Sequence, residues 1–374
     1  MEPNPNLMAF ASRLLPPVTR VISLFIPGRD SRIAWRNAKN NAEIIQLVAH
    51  VSSILPPPGS GVSLTELVPK CYALGSFPAL WAIEGLGHYY ADSFYERGEI
   101  PKNVLTDPKL FALPSSSLLM LHAGIGMSFA KRNLQGLNPQ SPASAVRKAV
   151  ENIVALCKDS SQEGYFGAAI ESLGLTARFL HGLSMVRVID EQLAALDQTL
   201  VGYLWHGAGR AVYFSPPNFI PGYRSPWRAV QMCRLEAPHD LGRRNMVAGF
   251  AWAVTLVNMR FPVIMETLLQ YHGQEFSEDD AFSNGVMSSV IMRYDTTPDD
   301  PHIVRFYQYK PAAVDQKIAA LWERLVQMPC KQALQHLGPV IKDHRRIGEV
   351  FHYQDLSALI ERLKKAESES RATR

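Results

Sequence analysis

The sequence predicts an all-α protein built of irregular helix pairs in a solenoid-like or bundled arrangement. Three observations carry this. Apolar residues recur at helical spacing in segments bounded by Pro, Gly, Ser and Asn. Strict apolar–polar alternation is scarce, and Thr297 to Lys310 is the best candidate for a strand or loop. A pair of small residues two positions apart, set in an apolar run, recurs at intervals of about 40 residues, near the size of two-helix repeats.

Taken in order, residues 1–55 read as an N-terminal arm and helix. The stripe Leu14–Ile26 is broken at Pro16-Pro17, and Arg32–Leu55 is amphipathic through Ile33, Ile44, Ile45, Val48 and Val51. Pro56-Pro57-Pro58-Gly59-Ser60-Gly61 ends it and is the clearest linker. A helical-repeat core follows over 62–310. Its helices are expected at Thr65–Leu74, Pro78–Tyr95, Leu118–Asn133 with Ser115-Ser116-Ser117 as cap, and Ala143–Lys158. Glu163–Phe179, Ser184–Leu196, Leu200–Phe214, Trp227–Leu235, Arg244–Gln270 and Ala281–Tyr294 continue the series. Residues 311–374 supply terminal helices and, from Ala366, a solvated tail.

Composition sets limits on function. The 374 residues are 47% hydrophobic and 19% charged, with a formal charge of +4. So small a net charge, with no Lys/Arg-rich run, gives no argument for nucleic acid. Cys71, Cys157, Cys233 and Cys330 are scattered and read as free thiols of a reducing cytoplasm, not as a zinc site. Leu110–Ala130 is uncharged, but Pro114, His122 and serines interrupt it, so it reads as a buried helix rather than a membrane span. Peripheral membrane contact through Leu14–Ile26 is a further expectation.

The small pairs are the richest signal: Gly85/Gly87, Gly124/Gly126, Ser172/Gly174 and Gly207/Gly209, with Gly249 and Gly285 continuing the series. A helix-interior glycine costs about 1 kcal/mol relative to alanine, so its repeated use implies close approach, of helix to helix or of helix to ligand. The ligand reading makes Gly85, Gly87, Gly124, Gly126, Gly207 and Gly209 the lining of a groove, with Arg210, Tyr213 and Trp227 beside it. Just ahead of the small residues stand Glu84, His122, Glu171 and His206, and His88 lies one turn after Glu84. Those five side chains are of the kind that holds a transition metal, although the Glu84–His88 spacing differs from the Glu-x-x-His of di-metal bundles. Arg210, four residues after His206, needs a partner: Glu84, Glu171 or an anionic ligand. The stretch Tyr213–Arg228, rich in aromatics, Pro and Arg, reads either as a lid or as an ordered strap. No GxSxG elbow, P-loop, HExxH or dinucleotide fingerprint occurs, and these patterns leave any cofactor unknown.

The set His122-Ala123-Gly124-Ile125-Gly126 with Ala130-Lys131-Arg132, then Glu163-Gly164-Tyr165-Phe166, then His206–Phe214, resembles the UnbL-like family associated with enediyne polyketide biosynthesis. Ala248–Ala253 is similar to a later helix of that family, and the likeness spans roughly Phe77 to Gly273. The resemblance implies a bacterial, cytoplasmic accessory protein of secondary metabolism that handles an apolar intermediate or assists a biosynthetic enzyme. It implies no catalytic residues. The expected function is therefore binding of an apolar small molecule or partner enzyme in a Gly-lined helical groove. The alternatives are a metal-dependent enzyme using the Glu/His set and a peripheral membrane protein.

Overall fold

The computed structural model describes residues 28–54, 63–215, 227–311 and 316–372, with Pro17 and Val21. The rest of Leu14–Ile26, the linker 56–61 and residues 216–226 of the aromatic stretch lie outside the described residues. The protein is all-α, with no strand among the described residues. Its helices are α1 (Arg29–Ile54), α2 (Leu64–Tyr72), α3 (Ser76–Glu96), α4 (Ser115–Leu134), α5 (Ala143–Ser160) and α6 (Phe166–Thr176). They continue as α7 (Leu183–Leu196), α8 (Val201–Tyr213), α9 (Arg228–Leu235), α10 (Asp240–Asn258), α11 (Pro262–Phe276) and α12 (Ala281–Thr296). Short helices α13 (Pro301–Tyr307), α14 (Gln316–Trp322), α15 (Met328–Gln332) and α16 (Gly338–Asp343) precede α17 (Leu356–Ala372).

Helices α3, α4, α6, α8, α10 and α12 form a continuous series, each packed along the next. The small pairs explain how. Two positions along an α-helix turn the side chain by about 200°, so a pair two apart presents one small residue to each flank. The second small residue of one helix meets the first of the next: Gly87 with Gly124, Gly126 with Ser172, Gly174 with Gly207, Gly209 with Gly249, and Ala251 with Gly285. Each contact is to the carbonyl three residues before the partner's small residue. A Cβ on Gly87 would overlap the Leu121 carbonyl oxygen, and one on Gly124 the Glu84 carbonyl oxygen. Gly209 and Gly249 stand in the same relation to Met246 and His206. Where Ser172 replaces glycine, its hydroxyl donates to the Ala123 carbonyl at 2.8 Å instead.

These glycines therefore seat backbone on backbone, which corrects the expectation that Gly87, Gly124, Gly126, Gly207 and Gly209 line a groove. Gly85 is buried as well. The series also curls on itself. α12 packs on α4, and Arg210 of α8 reaches Glu84 of α3, so contacts are not confined to neighbours as in an open stack. One apolar core runs from Ile33 to Ile360.

Two segments cover the ends of the central helices. At one end α1 is tied down by amides: Asn40 Nδ2 donates to Asn258 Oδ1 at 2.9 Å, and Asn258 Nδ2 donates to Asn37 Oδ1 at 3.1 Å. At the other end lies a turn over Ile347–Phe351 and the residues after it. Gly348 N donates to the Gly164 carbonyl at 2.7 Å, Tyr353 N to Asn245 Oδ1 at 2.7 Å, and Asn284 Nδ2 to the Gln354 carbonyl at 2.6 Å.

Several elements differ from their sequence expectation. Thr297–Lys310 holds helix α13: Asp300 accepts from His302 N at 2.9 Å as its cap, and Pro301 fits the first turn, where no N–H is needed. The long helix expected over Arg244–Gln270 is two helices, because Pro262 starts a new one at its first turn. Ser115-Ser116-Ser117 do not cap α4 from outside. They lie in its first turn, and Ser117 Oγ donates back to the Pro114 carbonyl at 2.7 Å. α17 continues through Ala372 where a tail was expected.

Candidate functional site

Small residues on both flanks leave the remaining faces of each central helix for other work. On α8, His206 and Arg210 are one turn apart and share a face. Arg210 Nη1 donates to Glu171 Oε2 at 2.7 Å, and Nη2 donates to Glu84 Oε1 at 3.1 Å. His206 Nδ1 lies 2.9 Å from Glu171 Oε1. Glu84, Glu171, His206 and Arg210 are exposed by 4%, 0%, 1% and 1%, so this is a sealed cluster of ionisable groups. The indole of Trp252 closes it: the Arg210 guanidinium carbon lies 4.3 Å from the ring centroid, a cation–π contact in a dry setting. Phe351, from the turn that covers this end, lies edge-on to His206 with centroids 6.5 Å apart.

Burial governs the electrostatics. It raises the Glu84 pKa, an effect Arg210 opposes and Glu171 adds to. Burial lowers the His206 pKa against its bond to Glu171, which favours the neutral imidazole. With Glu171 as acceptor the ring proton sits on Nδ1, and Nε2 keeps its lone pair. That Nε2 has no hydrogen-bonding partner within the described residues. Burial also works against the Arg210 charge, but Glu171 and Glu84 outweigh it and raise its pKa.

The proposed metal ligands divide. Glu84, Glu171 and His206 do come together, but a guanidinium occupies the position between the carboxylates that a metal ion would take. His122 and His88 do not join them. The small pair Gly124/Gly126 puts Ala123, not His122, at the position equivalent to Glu171 and His206, so His122 points about 100° away. There His122 Nδ1 bonds the Leu118 carbonyl at 2.6 Å, Nε2 accepts from Gln162 N at 3.0 Å, and the ring stacks on Tyr165 at 4.9 Å. His88 faces Asp92 at 4.0 Å, in a separate cluster with Lys131 and Arg132. Among the described residues no group of three or more His, Cys, Asp or Glu side chains is placed to hold a metal ion.

Of the remaining expected site residues, Tyr213 is fully buried under α1. Its hydroxyl donates to Asn37 Oδ1 at 2.6 Å and accepts from Asn258 Nδ2 at 2.8 Å. Trp227 is buried at the start of α9. The four cysteines are free and buried. No helix among the described residues is long and apolar enough to cross a membrane.

Sequence reasoning missed two features. Trp252 stands three residues after Gly249, as Arg210 stands three after Gly207, so the offset could have found it. The second is an open groove of about 820 Å³ between α9, α10 and α11, whose lining includes Leu235, Val247 and Phe276 with Arg234, Arg243 and Arg244. Glu275, Glu278 and Asp279 stand along the same groove, and Arg234 reaches Glu275 at 3.2 Å. No family model matches this chain, and neither a curated protein nor a solved structure does.

Proposed function

We propose that the protein is an accessory binding protein that holds an apolar small molecule carrying an acidic group, in the groove between α9, α10 and α11. The observation that carries this reading is the composition of that groove. Leu235 at 78% exposure and the edges of the buried Val247 and Phe276 stand beside three arginines in a space the size of ligand pockets. Each arginine is ion-paired at the rim with Asp240, Glu275 or Asp279, so an acidic ligand would exchange with those carboxylates. Arginine suits a carboxylate through paired N–H donors. Placement in bacterial secondary metabolism of the enediyne polyketide type rests on the motif resemblance.

cis-Parinaric acid, a conjugated polyene acid whose fluorescence rises on burial, is a suitable probe. Saturable binding that weakens at least tenfold in Leu235→Arg, and also in the Arg243→Ala/Arg244→Ala pair, supports the groove. No saturable binding, or binding that both variants leave unchanged, overturns it. The metal-dependent alternative is less favoured, because Arg210 already supplies the positive charge between Glu84 and Glu171. The peripheral-membrane alternative rests on the sequence of Leu14–Ile26.

A further inference from the structure

We infer that Glu84, Glu171, His206 and Arg210 form a buried acid–base site of zero net charge, in which Glu84 carries a proton at neutral pH and His206 Nε2 offers its lone pair to an uncharged hydroxyl compound. The argument is one of geometry and charge. Both oxygens of Glu171 accept hydrogen bonds, from His206 Nδ1 and from Arg210 Nη1. Among the described residues Glu84 accepts one hydrogen bond, the longer one from Arg210 Nη2 at 3.1 Å. Among the described residues Arg210 is the one cation within ion-pair distance of either carboxylate. One guanidinium balances one carboxylate, and a second unbalanced charge in a dry interior is costly, so the less well solvated carboxyl takes a proton.

The charged groups that act on Glu84 are Arg210 of α8 and Glu171 of α6, and α10 contributes the uncharged Trp252 ring over the guanidinium. The direction of the Glu84 pKa agrees. A neutral acid and a neutral base held in one cluster are the two partners that general acid–base chemistry requires. Further buried polar atoms without a hydrogen-bonding partner among the described residues occur in the cluster and at equivalent helix positions: Arg210 Nε, Trp252 Nε1, Asn284 Oδ1 and Ser288 Oγ. Buried polar groups are ordinarily paired, so an unpartnered His206 Nε2 and Arg210 Nε within one cluster point to a hydrogen-bonding occupant. A site of zero net charge disfavours ions of either sign.

Infrared spectroscopy and ¹⁵N NMR test this. Asp295→Asn is the background, because burial also raises the Asp295 pKa. At pH 7 the protein should show the carbonyl stretch of a protonated carboxylic acid. The band should vanish in Glu84→Gln, and also in Glu171→Gln, where Arg210 is freed to hold Glu84 ionised. Absence of the band, or its survival in either variant, overturns the assignment. If the variants do not fold, the wild-type His206 ring decides: a neutral ring with its proton on Nδ1 is expected, and an imidazolium at pH 7 overturns the site. Ethanol as probe should shift the Nε2 resonance while acetate does not. A shift with acetate, or with neither, overturns the ligand class.

Discussion

Gly209 of α8 and Gly249 of α10 hold each other's helix at backbone contact: a Cβ on either would overlap a carbonyl oxygen of the other's helix, Met246 or His206. The relation is reciprocal and repeats along the series, so the glycines set the spacing of the whole central layer. Gly209→Ala should therefore destabilise by the upper end of the overpacking range, about 3 kcal/mol or more, although alanine is the better helix former. Gly202 lies on the same helix, but its nearest neighbours are side-chain atoms at 3.4 Å. Gly202→Ala should be neutral or stabilising by up to about 1 kcal/mol. Urea midpoints of the two variants give the comparison. Equal effects would show that close approach is not what these positions are for.

The Arg210 cluster predicts a different signature. Arg210→Met removes the one cation shared by Glu84 and Glu171 and should cost about 3–5 kcal/mol near neutral pH. The two carboxyls then bind protons more readily in the folded than in the unfolded chain. Stability of the variant must fall as pH rises, so its deficit against wild type narrows toward acid. Adding Glu84→Gln and Glu171→Gln should recover part of the loss. Equilibrium unfolding at several pH values reads this. A deficit below about 1 kcal/mol would mean that water reaches the cluster.

How far these residues could be found without coordinates depends on the range of the interaction. Helices are local, so their apolar spacing and their Pro and Gly boundaries were readable, as was the recurring small pair. Its meaning was ambiguous, because a glycine gives the same pattern whether a helix or a ligand approaches it. His122 shows how a one-residue slip misdirects: it stands two residues before Gly124, whereas Glu84, Glu171 and His206 stand directly before Gly85, Ser172 and Gly207, and that offset turns its side chain by about 100°. Arg210 was recognisable as needing a partner, and both of its candidate glutamates prove to be partners. Phe351 and Asn37 lie far along the chain from His206 and Tyr213, and no spacing rule connects such positions.

The amide cluster under α1 yields a third prediction. The Tyr213 hydroxyl donates to Asn37 Oδ1 and accepts from Asn258 Nδ2, all three being buried. Asn258 keeps its other bonds, to Asn37 Oδ1 and the Val254 carbonyl. Tyr213→Phe leaves the network partly satisfied and should cost about 1–2 kcal/mol. Asn258→Leu strands Asn40 Nδ2 and removes one donor each from Asn37 Oδ1 and the Tyr213 hydroxyl, which keep their bond to each other, and should cost more. Thermal unfolding of the two single variants orders them. The reverse order would remove Asn258 from the centre of the network.

His122 gives the fourth, a pH dependence. Its ring is fully buried, with Nδ1 bonded to the Leu118 carbonyl and Nε2 accepting from Gln162 N. Only the neutral ring satisfies both. A proton on Nε2 would face the Gln162 N–H. Burial, partly offset by the Leu118 bond, lowers the pKa to about 4 from the ordinary 6.5. As pH falls between those values the unfolded chain takes up a proton that the folded chain refuses. The contribution is therefore complete above about pH 6.5, declines as pH falls, and is gone below about pH 4. At 1.36 kcal/mol per pKa unit it amounts to about 3 kcal/mol over that window. Burial shifts the His206 pKa in the same direction. His122→Gln places an uncharged acceptor near Gln162 N. Its stability should fall by about 3 kcal/mol less than that of wild type between pH 7 and pH 4. Urea unfolding of both proteins at the two pH values gives that difference directly. Parallel losses would mean that His122 is protonated in the fold and that its Nε2 does not accept from Gln162.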